Sequence, residues 1–316
     1  MNKLNALESA LNALKGKTLV TFQEVGDLDA VASALVLAEV VPNSSVRSTG
    51  QVNSQAKRVL KHFGLSVPPI ESLDFDNIAI VDAGNSGVLG KWARPIEEFK
   101  GKLVVVDHHF HSHALNAFYY YADKGKSSTC EIIFDLLKLG KKKVGKRQAL
   151  LLAGGIISDT AFFKSANDAS FVALGELLDI IGKGNKDYEK VVSLVKSVPD
   201  ISERLSRINA IKNAKIQQNG KILVATAYST GFELSCASAL VEAGFSAAFV
   251  GNKKHARVFG VRSDDSKSNI GKIMQKAGKI LGGSGGGHEK VGGANGSAKN
   301  VEKAVEECAK LVLNSN

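Results

Sequence analysis

The chain has 316 residues, 44% of them hydrophobic, enough to supply the cores of two ordinary domains. Its 41 lysines and arginines against 31 aspartates and glutamates leave a net charge of +10, which favours a polyanionic partner, although tracts such as residues 138–146 also read as solvated surface. No apolar run approaches the roughly 18–20 residues of a membrane span, the stretch MNKLNALESALNALKG lacks a signal peptide's apolar core, and Cys130, Cys236 and Cys308 form neither a disulfide framework nor a CxxC zinc site. The expectation is a soluble, globular, cytoplasmic protein with buried thiols and no membrane partner. Only 6% of residues are aromatic, and none alternate with basic ones, so long stacking platforms for single strands are not indicated and short substrates are favoured.

Residues 3–15 read as a helix closed by Gly16. Thr18-Leu-Val-Thr-Phe22 then reads as a buried strand leading through Gly26 to Asp27 and Asp29, and Ala30 to Val40 as a buried helix. Just ahead of that helix, the two carboxylates suit capping as well as a site. A short strand is expected at 46–51 and a helix from Ser54 to Phe63, ended by Gly64, with Pro68 and Pro69 marking a loop. Ile78-Ala-Ile-Val-Asp82 is a second apolar run ending in a carboxylate. The third, Leu103-Val-Val-Val-Asp107-His108-His109, delivers a carboxylate and two imidazoles. In an open α/β sheet, ligands bind at the carboxyl ends of the strands. Asp107, His108 and His109 cannot all face one way, so ligand, orienting group and acid are expected among them. Carboxylates converging with imidazole repel unless a cation neutralises them, and a carboxylate-rich Asp/His set favours Mn²⁺ or Mg²⁺. His111 and His113 are read as loop residues.

Ser128 and Glu131 give a capping-box-like start to a helix through Leu137. A helix from Arg147 to Ile157 precedes Asp159, by itself a helix-end carboxylate, and Ala161-Phe-Phe-Lys164 reads as the wall of a site. Gly182, Gly184 and Pro199 punctuate a helix-rich stretch, so the domains are expected at 1–180 and 220–316 with a helical connection over 181–219. Strands at 220–226, 247–250 and 258–262 alternate with helices at 234–243 and 270–280. Arg262, at a strand end, offers a planar fork to phosphate or an ion pair to Asp264 or Asp265. The glycine-rich stretch Leu281–Gly296, with Gly286, Gly287 and His288 at its middle, allows backbone N–H groups to close around an anion. A last amphipathic helix gathers Val301, Ala304, Val305, Cys308, Leu311 and Val312 on one face.

In order along the chain, Asp27-Leu-Asp29, Asp82, Asp107-His108-His109 and Asp159 resemble the four motifs of the DHH phosphoesterases. Gly285-Gly-Gly-His288-x-x-Gly-Gly293-x-x-Gly resembles the DHHA1 domain that accompanies one of their subfamilies. The layout is similar to that of the short oligoribonuclease and pAp-phosphatase-like members, related to RecJ. The resemblance implies a parallel-sheet DHH domain, a smaller α/β DHHA1 domain, and an active site in the cleft between them. It implies a metal-dependent phosphoesterase acting on short single-stranded oligonucleotides or small nucleotide phosphates, of nanoRNA, pAp or dinucleotide type. Two Mn²⁺ ions, or Mg²⁺, would be held by Asp27, Asp29, Asp82, His108 and Asp159. Gln23 stands where the family has histidine and would offer a neutral amide oxygen. Asp107 would orient an imidazole, and His109 would contact phosphate or move a proton. Arg262, Gly286, Gly287 and His288 would bind substrate, and a homodimer is compatible with the layout. Two other readings stand beside this one: a RecJ-like single-strand exonuclease, and a non-catalytic nucleic-acid-binding subunit of a replication or repair complex, favoured by Gln23 alone.

Overall fold

Runs such as Leu103–Val106 are apolar on both faces, and only a strand covered on both sides buries them. The computed structural model, which describes residues 3–109, 114–182, 187–196 and 199–314, provides that cover. The chain divides into two units, Met1–Ser197 and Val198–Asn316.

The first unit runs α1 (Lys3–Asn12), β1 (Thr18–Thr21), β2 (Val25–Gly26), α2 (Leu28–Ala38), β3 (Ser44–Val46), β4 (Gln51–Val52), α3 (Ser54–His62), β5 (Asn77–Val81), α4 (Ala93–Glu97), β6 (Lys102–Asp107), β7 (Tyr119–Ala122), α5 (Thr129–Leu139), α6 (Lys146–Asp159), α7 (Asp168–Ile181) and α8 (Asp187–Val195). Five strands make a parallel sheet in the order β3-β1-β5-β6-β7. Alternation along the strands splits the core in two. Val20, Ala79, Val81, Val104 and Val106 pack with Val31, Ile133 and Ile156 of α2, α5 and α6. Leu19, Ile78, Ile80, Leu103 and Val105 pack with Leu89 and Ile96.

The strand order matters for function. From β1 the chain first moves outward to β3 and later returns to lay β5 on the other side of β1, a reversal that opens a crevice at the carboxyl ends. Residues 23–29 follow β1 and Asp82 follows β5, so two of the motifs meet there. The single strand expected at 46–51 is two: β3 stays in the main sheet, while β4 leaves it to pair with β2. Gly50 permits the turn, since a Cβ there would lie 2.6 Å from the Glu24 carbonyl oxygen. Strand β7 is an addition that the sequence reading does not contain.

The second unit runs α9 (Ile201–Lys212), β8 (Lys215–Asn219), β9 (Ile222–Tyr228), α10 (Glu233–Glu242), β10 (Ala247–Asn252), β11 (Arg257–Arg262), α11 (Ile270–Leu281), β12 (Ser284–Gly287), β13 (Val291–Asn295) and α12 (Val301–Leu313). Its sheet has the order β12-β13-β11-β10-β9-β8, and only β9 and β10 pair in parallel. Val224, Ala247 and Phe249 face α11 and α12, while Ala225, Ala248 and Val250 face α9 and α10.

The glycine-rich stretch read as an anion nest is a β-hairpin, β12 and β13, packed on α11. Its glycines are there for close approach. A Cβ on Gly285 would lie 2.0 Å from the Met274 carbonyl oxygen, and one on Gly278 of the helix 2.5 Å from the Gly285 nitrogen. All three cysteines are buried thiols, and no helix among the described residues is long and apolar enough to cross a membrane.

Candidate metal centre

Asp27 and Asp29 owe their positions to the start of α2. Asp27 is its N-cap, with Oδ1 accepting from the Ala30 amide at 3.0 Å. Asp29, in the first turn, is 1% exposed, and its Oδ2 and Oδ1 accept the amides of Thr129 at 2.7 Å and Cys130 at 2.9 Å. Those are the first amides of α5, whose dipole favours a carboxylate at that end. Ser128 caps α5, its Oγ accepting the Glu131 amide at 3.2 Å, while the Glu131 carboxylate takes the Ser127 amide instead of closing the expected capping box; the cap has a second consequence, which the sequence reading misses: it aims a helix N-terminus at Asp29. Gly155 of α6 lets this pair approach, since a Cβ there would lie 2.3 Å from Cys130 Sγ and 3.1 Å from Asp29 Oδ1.

Asp82 leaves β5 with φ +55°, in the left-handed region that a non-glycine residue seldom occupies. Its Oδ1 accepts the Thr129 hydroxyl at 3.2 Å, a contact absent from the sequence reading. Asp107, fully buried at the end of β6, accepts at Oδ1 from the His109 backbone amide and lies against His109 Nδ1, both at 2.9 Å. His108 points elsewhere: its Nε2 stands 3.1 Å from Asp159 Oδ2 and 3.5 Å from Asp82 Oδ1. His109 Nδ1 is 3.6 Å from the same Asp82 oxygen. Asp159 closes the group as the last residue of α6.

Two overlapping sets of ligand atoms result, each within 4.8 Å: Asp82, Asp107, His108 and His109, and Asp29, His108 and Asp159. Asp27 joins them through Gln23. Gln23, expected as a ligand through its amide oxygen, stands with its side-chain amide between two of the carboxylates. Its Nε2 donates to Asp27 Oδ2 at 3.1 Å and Asp82 Oδ2 at 3.3 Å, because an N–H between two carboxylates relieves their repulsion and an oxygen there would add to it.

Burial raises the Asp27, Asp29 and Asp82 carboxyls, with Asp82 pushed up to about 6, and neighbouring carboxylates add to the effect. Burial alone would lower His108, but Asp159 and Asp82 override it and hold the imidazole protonated up to about 11. His109 is raised chiefly by its hydrogen bond with Asp107. His108 Nε2 is buried and, despite two carboxylates nearby, makes no aligned hydrogen bond among the described residues. A buried imidazole nitrogen among carboxylate oxygens fits a divalent cation.

Beyond Asp159, Ala161, Phe162 and Phe163 all have positive φ, at 48°, 58° and 68°. The turn is held by the Phe162 amide on the Ile157 carbonyl and the Phe163 amide on the Thr160 hydroxyl. His111 and His113 lie outside the described residues. In the second unit, Arg262 pairs with Glu289 at 2.5 Å, rather than with Asp264 or Asp265, and donates to the Ser263 carbonyl. His288 sits at the hairpin tip, its amide bonded to the Val291 carbonyl, and Gly286 faces open space.

The DHH family, N-terminal domain, matches residues 17–156, and the DHHA1 domain matches residues 238–314. An uncharacterised protein of Methanocaldococcus jannaschii is 30% identical over 90% of this chain and 89% of its own length. A manganese-dependent inorganic pyrophosphatase of the same organism is 31% identical over 54% of this chain and 58% of its own. Among solved structures, an exopolyphosphatase-related protein from Bacteroides fragilis superposes with a TM-score of 0.77 over 99% of this chain and 96% of that one, at 14% identity. RecJ from Thermus thermophilus in complex with Mn²⁺ gives 0.60 over 100% of this chain and 55% of that one, also at 14% identity. The two structural likenesses speak for the fold.

Proposed function

This chain belongs to the DHH family and carries a DHHA1 domain, and from that premise we propose that it is a manganese-dependent phosphohydrolase of short single-stranded oligonucleotides or nucleotide phosphates. The observation that carries the reading is His108 Nε2, shared by two adjoining sets of carboxylate and imidazole donors. Mn²⁺ suits that mixed set, and the names of the pyrophosphatase relative and of the RecJ complex both contain manganese. Asp29, Asp82, His108 and Asp159 would hold the ions, with Asp27 beside them and Mg²⁺ as the alternative. Bound there, a divalent cation supplies Lewis acidity that activates water and offsets charge on the phosphoryl oxygens.

The chain's own residues do the positioning. Thr129 and the first amides of α5 fix Asp82 and Asp29. Asp107 fixes the His109 ring and favours its protonated form, which places a proton donor beside the site for the leaving oxygen. Arg262, Gly286, Gly287 and His288 keep the substrate-binding role that the family resemblance gives them.

A second reading, hydrolysis of inorganic pyrophosphate, is favoured by the pyrophosphatase relative. Assaying dinucleotides, short single-stranded RNA and DNA, pAp and pyrophosphate with Mn²⁺ separates the two. Turnover of the nucleotide substrates is expected. Turnover of pyrophosphate alone would replace the first reading with the second, and no turnover with Mn²⁺ or Mg²⁺ would overturn both.

A further inference from the structure

A cleft of about 630 Å³ opens on the first unit between α3 and the segments 48–52 and 64–69. Lys57, Leu60, Lys61 and Gly64 line it, and their spacing of three, four and seven residues makes them one stripe along α3 and past its end. Across from the stripe lie Val52 and Pro69. The floor is apolar, with Val52 and Leu60 each under a tenth exposed, and the two lysines stand exposed above it. Among the described residues no acidic side chain lines the cleft and neither lysine has an ion-pair partner. Glu24, whose carbonyl accepts the Gln51 amide at the cleft wall, lays its own carboxylate over Gly90 instead.

The backbone ties this cleft to the metal centre. Strand β4, one wall, pairs with β2 in the register Val25–Gln51 and Gly26–Val52, and the Asn53 amide donates to the Gly26 carbonyl. Gly26 immediately precedes Asp27. Paired strands lie about 4.8 Å apart and successive Cα atoms about 3.8 Å, so the Val52 Cα stands within about 9 Å of the Asp27 Cα.

We propose that the cleft is the track for the rest of a single-stranded oligonucleotide whose scissile phosphate lies at the metal centre. Lys57 and Lys61 neutralise phosphates beyond the scissile one, and Val52 and Leu60 carry the apolar faces of sugars or bases. This inference rests on the phosphohydrolase reading and narrows its substrate to chains longer than a dinucleotide. Pyrophosphate has no further phosphate for the lysines and no apolar part for the floor.

The test is fluorescence anisotropy of an end-labelled RNA octamer, and of its DNA counterpart, binding the full chain in EDTA over a range of salt concentrations. Native protein is compared with Lys57→Gln/Lys61→Gln and Lys57→Glu/Lys61→Glu, with circular dichroism verifying that both variants fold. Each phosphate contact to a single strand contributes roughly 0.7 to the slope of log affinity on log salt, so the Gln pair should flatten it by about 1.4 and weaken octamer binding about tenfold. The Glu pair should bind more weakly still. With Mn²⁺ added, the kcat/KM of octamer relative to dinucleotide should fall in both variants. An unchanged slope and affinity would overturn the proposal, as would equal losses for octamer and dinucleotide. Because binding is read without metal, a native protein that binds through these lysines yet hydrolyses nothing upholds the cleft and rejects the phosphohydrolase reading.

Discussion

Asp82 and His108 hold opposite charges in a space that penalises both. Asp82, whose usual value is 3.8, is pushed to about 6, and His108 is pulled from 6.5 to about 11. Both shifts act in one direction on stability. Each group binds its proton more tightly folded than unfolded, so Asp82's contribution is complete below about 4 and lost as pH rises through 6, while that of His108 is complete below 6.5 and lost as pH rises toward 11. Metal-free protein is therefore expected to lose stability from acid to alkaline pH, and a divalent cation, which displaces these protons, to restore more of it at the alkaline end. Thermal unfolding with and without Mn²⁺ checks this: the rise in midpoint should be larger at pH 8 than at pH 5. An equal or smaller rise at pH 8 would place the ion elsewhere. Of these residues, Asp82, Asp107 and the two histidines were legible because each closes a β-branched run. The amides of Thr129 and Cys130 were not, since they lie 100 and 101 residues from Asp29 and act through backbone groups that any residue carries. Gln23 was legible as a departure from the family pattern, but not as a donor, because that depends on two carboxylates brought from different strands.

Among the elements, the central strands β1, β5 and β6 of the first sheet were readable and the β12–β13 hairpin was not, for one physical reason. A strand buried on both faces must be apolar throughout, which leaves a mark in the sequence. The hairpin instead consists of residues with poor strand propensity, kept because α11 approaches its backbone too closely for side chains. Two substitutions separate close packing from backbone freedom. At Gly285 a Cβ meets the Met274 carbonyl oxygen at 2.0 Å, and at Gly286 it meets nothing within 4 Å. Gly285→Ala should cost about 1–3 kcal/mol in urea unfolding, and Gly286→Ala no more than about 0.5 kcal/mol. Equal effects would show that the glycines serve flexibility rather than packing.

At the scale of the whole molecule, the strand order does what no single motif can. Setting β1 between β3 and β5 brings a segment near residue 27 to one near residue 82, while the parallel neighbour β6 adds Asp107 and its histidines, and α6 returns Asp159. The composition was consistent with two cores, and the chain has two units. Helix α9, within the stretch read as a connection, packs Ala210 into the second of them with Ala237 and Leu240. That packing was hidden because a short amphipathic helix looks the same in a linker as against a sheet.

The proposed function requires this convergence of five aspartates and two histidines to be a metal centre for hydrolysis at phosphorus. Stripping the protein with EDTA, restoring Mn²⁺ and following release of mononucleotide from a short oligonucleotide, by native protein and by Asp82→Ala verified as folded, measures this. Activity should return with Mn²⁺ in the native protein and stay lower by about a hundredfold or more in Asp82→Ala. Hydrolysis that persists without metal, or that is undiminished in Asp82→Ala, would contradict the account.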